Sequence, residues 1–442
     1  MRRASQNGRL ISVPVAKYIT MEPAMLEKMR EDARLIIEDI IRENMPQESV
    51  QRALRAHAFG DSVHVVAIGK AAWAMAKTAA DFLGGKLARG VVITKYGHSL
   101  GDIPGMKVFE AGHPTPDENS VRATQSALAL AEGLKEDDEL LFLVSGGGSA
   151  LFEAPPEGVS IGELAALTGE LLACGADIVE VNMVRKRLSR VKAGRFARAC
   201  SPAGVFSVVL SDVLGDRLDS IASGPAAPDN TTAADALAVV EKYGIRLTET
   251  QRCHLAQETP KTVENVKTVV TGGVRSLCES AAKAARSLGY APYVLTTVLN
   301  CEASEAGRFL SCIAADTQNG TNSFGKPCAI IAGGETVVRV KGQGKGGRNQ
   351  ELALAAAKGI ATLENTLVFS LGSDGTDGPT DAAGGMVDCT TLARLRGQNL
   401  DIDKILENND AYHGLKAVDG LIVTGPTGTN VNDVSVALCG PS

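Results

Sequence analysis

Aromatic side chains are scarce in this chain of 442 residues: they fill 4% of positions, and Trp73 is the one tryptophan. Nucleic-acid platforms that stack bases on rings do not fit such a composition. Nor is positive charge in excess. Lys and Arg number 45 against 51 Asp and Glu, a net charge of −6, which argues against a general polyanion binder. No apolar run approaches the roughly 20 residues that a membrane-spanning helix needs. The nine cysteines (174, 200, 253, 278, 301, 312, 328, 389 and 439) form no C-x-x-C, and no set of His and Cys has zinc spacing. Reduced, buried thiols in a cytoplasmic, reducing compartment are expected. Neither nucleic acid nor membrane is expected as a partner, and a homodimer stays open.

What the chain does have is glycine, 47 of them, among many Ala, Val and Leu. The length is too great for one ordinary core, so two domains are expected. Short β-rich runs alternate with helical patterns, the signature of a parallel sheet with crossover helices. The first series has strands at 63–68, 90–94, 106–110, 140–144 and 205–210, with Asp117 and Ser160 as helix caps and a helix over 177–192. Regularity weakens over 225–268. A second series follows, with strands at 268–270, 293–296, 328–332, 336–341, 367–371, 421–423 and 434–437. Gly333-Gly334 reads as a two-residue hairpin turn, so this second sheet should be mixed. The expected division is a leader at 1–24, a first domain at 25–258 and a second at 259–442. Residues 1–20 carry Arg2, Arg3, Arg9 and Lys17 and no acid. Pro14 interrupts their only apolar stretch, which favours a mobile leader over an organellar transit peptide.

Every glycine-rich motif sits at a strand end. Gly333-Gly334-Glu335-Thr336 leads to Lys341-Gly342-Gln343-Gly344-Lys345-Gly346-Gly347-Arg348 and then a helix pattern. Glycines, cations and a helix N-terminus together suit phosphate. Gly342-x-Gly344-x-x-Gly347 also matches the dinucleotide fingerprint, but three cations crowd it and no acidic ribose ligand is clearly placed. Ser145-Gly146-Gly147-Gly148-Ser149 follows a buried strand and invites close approach by a ligand. It is not a P-loop, since no G-x-x-x-x-G-K-[ST] occurs in the chain. Lys70, at a strand end, opposes the dipole of the helix it precedes and suits an ammonium that neutralises a transferring phosphoryl group. Seven cations crowd 185–198; most should be a solvated face paired with acids elsewhere, while one or two, with Asn182, reach the cleft. Asp212 and Asp216 follow one strand, and Asp374, Asp377 and Asp381 another. Carboxylates so placed suit Mg²⁺ or a base for a hydroxyl. His113 could contact substrate or brace its loop.

Taken together these motifs resemble the glycerate 2-kinase family, the glycerate kinases with a C-terminal MOFRL domain. The residues that carry the resemblance are Ile68–Ala72, Gly112–Asp117, Val144–Ala150, Asn182–Lys186 with Leu188-Ser189, and Leu210–Asp216. Further on come Ala222–Pro225, Gly333–Thr336, Gly346–Glu351 and Ser373–Asp381. The resemblance spans about residue 25 to residue 437. It implies an N-terminal Rossmann-like α/β domain, a C-terminal α/β domain with an active site between them, and phosphorylation of D-glycerate at the 2-hydroxyl by ATP with Mg²⁺. It matches the family's catalytic lysine and arginine to Lys70 and Arg348. Some relatives are named hydroxypyruvate reductase, so an NAD(P)H-dependent reductase is the alternative.

On this reading Gly146, Gly147, Gly148 and Ser149, with Gly344, Lys345, Gly346 and Gly347, cradle the ATP phosphates. Asp212 or Asp216 holds Mg²⁺, with Glu335 as a further candidate, and Lys70 and Arg348 neutralise the transferring group from opposite domains. Asp374 or Asp377 accepts or orients the glycerate hydroxyl proton. Arg185 or Lys192 holds the glycerate carboxylate.

Overall fold

A computed structural model describes residues 23–211, 213, 215 and 217–441. The expected leader lies, as far as residue 22, outside the described residues, and so do Asp212 and Asp216.

The first sheet holds β1 (Val63–Ile68), β2 (Leu87–Lys95), β3 (Met106–Ala111), β4 (Glu139–Val144), β5 (Gly204–Leu210) and β6 (Val266–Gly272). The order is β3-β2-β1-β4-β5-β6, with every pair parallel. All six residues of β1 are buried, as a central parallel strand covered by helices on both faces must be. Strand order reverses between β1 and β4, and at such a point the crossover helices leave to opposite faces. A crevice opens there outside the carboxyl ends of the strands. The caps at Asp117 and Ser160 form as read, each a reciprocal box. The helix expected over 177–192 stops at Arg187, and the chain turns through Ala193 and Gly194, both with positive φ.

The second sheet holds β7 (Ala291–Leu299), β8 (Cys328–Gly334), β9 (Thr366–Gly372), β10 (Gly384–Asp388), β11 (Leu421–Ile422) and β12 (Asp433–Cys439). It runs β11-β10-β9-β12-β8-β7. Only β7 and β8 pair in parallel, so the sheet is mixed as expected. The reason is different, however. β8 runs on through Gly333-Gly334, and no hairpin follows. Residues 335–341 contribute a single bridge, Val337 to Glu302. The antiparallel pairs arise because β12 inserts between β8 and β9. The strand expected to open the second series, 268–270, lies within β6 and pairs with β5 in the first sheet.

The chain crosses between the two sheets more than once. The helix Pro23–Glu43 packs Met29, Ile36 and Ile40 into the core of the second sheet. Arg30 there donates from Nε to the buried Asp388 at 2.7 Å. The next helix, Pro46–Arg55, packs Val50 and Leu54 into the core of the first sheet. The return follows β6, where Gly272-Gly273 leads into the helix Val274–Ser287 under the second sheet. Among the described residues, no helix is long and apolar enough to cross a membrane.

Candidate active site

At the reversal in the first sheet, β1 turns through Gly69-Lys70 into the helix Ala72–Leu83, and β4 turns through Ser145–Gly147 into one helical turn, Gly148–Leu151. The two turns are laced together. The Lys70 N–H donates to the Gly146 carbonyl at 2.9 Å, and the Ala71 N–H donates to Ser145 Oγ at 3.1 Å. The N–H groups of Gly146 and Gly147 bond to nothing among the described residues. Gly147 has φ +87°, and a Cβ there would lie 3.0 Å from His113 Nε2 and 3.3 Å from Lys70 Cγ. His113 follows β3, so three strand ends meet at this glycine. The half-buried Lys70 ammonium has no hydrogen-bond or ion-pair partner among the described residues. Lys95 ends β2 and His98 follows it, adding positive charge. Burial first, then Lys70, Lys95 and His98, lowers the pKa of His113 below the ordinary imidazole value.

Beneath the glycine turn lies a polar layer. Ser149 Oγ is 3.1 Å from Ser223 Oγ, which donates to Asn182 Oδ1 at 3.0 Å. The Ser149 carbonyl accepts from both Arg185 and Lys192, each at 2.8 Å. Lys192 is fully buried and also donates to the Phe152 carbonyl; Glu153, buried too, faces it at 3.4 Å. Arg185 and Lys192 therefore brace the loop from below, and Lys192 has no solvent-facing surface to offer a substrate carboxylate. The seven-cation run is not the solvated face expected. Lys186, Arg187 and Lys192 are buried, and Asp229 pairs with the first two. Burial lowers the Lys192 ammonium to about 8. Its folded-state pKa lies below the unfolded one, so its charging penalty is full below pH 8 and fades as pH rises toward 10. Glu153→Gln will remove the counter-charge and cost about 3–5 kcal/mol of stability at pH 7. Urea denaturation should show that loss shrinking as pH rises through about 8, where Lys192 of the wild type gives up its proton and no longer needs the counter-charge.

In the second half, Arg348 opens the helix Arg348–Ile360. Its Nε and Nη2 donate to the two oxygens of Asp433 at 2.5 and 3.0 Å, and its Nη1 donates to Glu335 at 2.9 Å. Such a fork fixes the guanidinium plane. Burial alone would lower the Arg348 pKa, but the Asp433 and Glu335 carboxylates outweigh it and hold the charge. Burial pushes the Asp433 carboxyl up to about 6 against the pull of Arg348, so it is ionised at pH 7. A cavity of about 640 Å³ opens beside them, lined by Glu335, Val338, Gly346, Arg348, Asp374 and Pro379 among others. Asp374 accepts the Thr376 N–H with one oxygen, and its other oxygen has no donor among the described residues.

Two expectations for this half change. The helix N-terminus read as a phosphate seat is already filled, because Asp377 accepts the N–H groups of Asn349 and Gln350 at 3.2 and 2.8 Å. Asp377 is buried, which raises its pKa, and it acts as an internal cap rather than as a free base. The glycine loop is also strapped down. The N–H groups of Lys341, Gly342, Gln343 and Lys345 donate to the side chains of Asn408, Asn409 and Asp410. A Cβ on Gly344 would sit 2.5 Å from the Asn408 carbonyl oxygen. Close packing on the 408–410 segment, not a dinucleotide, explains that glycine. Lys345 lies over the Tyr412 ring at 4.5 Å, and only Gly346 and Gly347 in this loop keep N–H groups unbonded among the described residues. Of the carboxylates expected to hold metal, Glu335 is shared with Arg348.

The halves meet near these groups. Val431 Cγ1 lies 3.4 Å from where a Cβ on Gly272 would stand, at the carboxyl end of β6. Asp433 is two residues further, a reach of about 7 Å. At about 4.8 Å per strand, β6 stands roughly 14 Å from β1. Arg348's anchor thus follows a segment packed at the carboxyl end of β6, three strands from β1 and Lys70 in the same sheet.

A model described as "Domain of unknown function (DUF4147)" matches residues 32–256, and the MOFRL family model matches residues 328–433. The D-glycerate 2-kinase of Thermotoga maritima is 50% identical over 417 residues, covering 94% of this chain and 99% of that protein. The chain belongs to the glycerate 2-kinase family. A glycerate 2-kinase of Pyrococcus horikoshii is 43% identical over 387 residues, covering 85% of this chain and 87% of its own length. The crystal structure of the Thermotoga maritima glycerate kinase superposes with a TM-score of 0.91 at 50% identity, covering 93% of this chain and all of that one. The two regions matched in this glycerate 2-kinase family member divide the site: the first carries Lys70, His113 and the Gly146–Ser149 turn, the second Arg348 and the cavity. Sequence reasoning missed Asp433, Glu153, Lys95 and the Asn408–Asp410 strap. Asp433 had a signal, since an acid starting an apolar strand needs a buried partner.

Proposed function

We propose that this chain transfers the γ-phosphoryl group of ATP to the 2-hydroxyl of D-glycerate, with Mg²⁺, releasing 2-phospho-D-glycerate and ADP. The observation that carries the reading is a pair of unlike cations, one from each half: Lys70, unpartnered among the described residues and able to meet incoming charge, and Arg348, locked in a carboxylate fork. Phosphoryl transfer is mostly positioning and neutralisation of the equatorial oxygens, and fixed cations in a low-dielectric cleft do both. The names of the relatives support the acceptor and the position phosphorylated.

ATP fits the cavity of the second half, whose size is ordinary for small-molecule pockets. Its phosphates reach the unbonded N–H groups of Gly346 and Gly347, then those of Gly146 and Gly147 across the cleft. Glycerate lies over the glycine turn of the first half, its carboxylate toward Lys95 and His98, with Arg185 and Lys192 supporting from beneath. Mg²⁺ takes one or two carboxylates and completes its octahedron with water and phosphate oxygens. The free oxygens of Asp374 and Glu335 are donors of that kind, and Asp212 and Asp216 are the proposed ligands from the first half. Bound there, Mg²⁺ would draw charge from the phosphate oxygens. Phosphorus and proton NMR of the product tests both reaction and regiochemistry. The 2-phosphate with stoichiometric ADP is expected; consumption of NADH or NADPH with hydroxypyruvate, and no ADP, would overturn the reading.

A further inference from the structure

We propose that His113 is the general base of the transfer, taking the proton from the acceptor hydroxyl. This inference rests on the kinase reading above. As the hydroxyl oxygen bonds to the γ-phosphorus, the bond from that phosphorus to the bridging oxygen breaks and ADP departs. The hydroxyl proton passes to the imidazole, which later releases it to water.

Three observations lead there. The ring sits at the meeting point of β1, β3 and β4, and a Cβ on Gly147 would lie 3.0 Å from its Nε2 and 3.3 Å from Lys70 Cγ. A group bound over the Gly147 N–H would therefore lie beside both the Lys70 side chain and the imidazole. Neither ring nitrogen of His113 has a hydrogen-bond partner among the described residues, although the ring is only partly exposed. A loop-bracing histidine would instead spend at least one nitrogen on a neighbour, as His57 does on Glu139 and His254 on the Glu157 carbonyl. The carboxylates expected for this task are also less suited. Asp377 accepts four N–H groups from Asn349 and Gln350, and Asp374 faces the nucleotide cavity.

The charges around His113 favour its neutral, proton-accepting form. Lys70 follows β1, Lys95 ends β2 and His98 comes after it; all three are basic. The nearby carboxylates are engaged elsewhere: Glu110 accepts from the Gly97 and Ser99 N–H groups, and Asp117 caps its helix and accepts from Tyr96. A neutral imidazole beside cations is poised to accept a proton at pH 7.

The test compares wild type, His113→Ala and His113→Gln for ADP formation with D-glycerate, Mg²⁺ and ATP, with and without added imidazole. We expect kcat to fall about 10²-fold in both variants, with KM for ATP within about threefold of wild type. Imidazole should restore at least tenfold of that loss in His113→Ala, with restoration tracking the basicity of substituted imidazoles. A merely structural histidine would not show that dependence. A loss smaller than tenfold in either variant, or a loss that no imidazole repairs, overturns the assignment. If alanine prevents folding, His113→Gln carries the test alone, read as a tenfold or greater loss confined to kcat. Absence of ADP formation by the wild type would overturn the kinase reading itself, whereas normal turnover by His113→Gln overturns only the base.

Discussion

Lys70→Ala should lower kcat by about 10²–10³-fold, the usual consequence of losing one donor to developing charge in a water-poor site. The fold should barely notice. The ammonium has no ion-pair or hydrogen-bond partner among the described residues, so its removal strands no buried group. The backbone bond from Lys70 to Gly146 survives any side-chain change. Lys70→Arg should not restore the rate, because a planar fork replaces a compact point charge in a space bounded by Gly147 and His113. A coupled ADP assay beside a urea melt measures both arms. Near-normal turnover in Lys70→Ala would remove this residue from the mechanism.

Arg348→Met should bring a similar loss of kcat, about 10²–10³-fold, but with a stability cost that Lys70→Ala lacks. Arg348 is partly exposed while Asp433 is buried, so deleting the guanidinium leaves a buried carboxylate without its fork. About 2 kcal/mol at pH 7 is expected, below the range for a wholly buried pair because the arginine is a third exposed. The pH dependence has a definite sign. The Asp433 carboxyl already has a folded pKa of about 6, above its unfolded value, so the stability it contributes is present at low pH and lost as pH rises through 6. Without Arg348 that pKa climbs further. The deficit of Arg348→Met should thus grow from pH 5 to pH 8. Adding Asp433→Asn should recover stability without recovering turnover. If the double variant regained activity, the arginine would be a scaffold and not a participant.

The first sheet was largely legible because its signals are local. Fully apolar runs such as Leu140–Val144, caps such as Asp117, and glycine turns at strand ends all act within a few residues, and all three lie where expected. The second half was less legible because its decisive pairings are distant in sequence. β12 lies between β8 and β9, and nothing near Gly333-Gly334 announces that. The glycine loop misled for a related reason. Glycines that let a backbone approach a phosphate look the same as glycines that let it approach Asn408, and the partner is 64 residues beyond Gly344. The cation run 185–198 misled in burial: its acids, Asp229 and Glu153, were too far along the chain to be paired by eye.

The double crossing of the chain has a mechanical consequence. One link passes at Asn44, a buried residue whose amide donates to Ser280 at 3.0 Å, and the other at Gly272-Gly273. Two bodies joined at two points keep a single easy freedom, rotation about the line through both joints. Domain closure, if phosphoryl transfer needs it, would turn most easily about that line. Shortening the chain ahead of Asn44 would unpin one end of that axle.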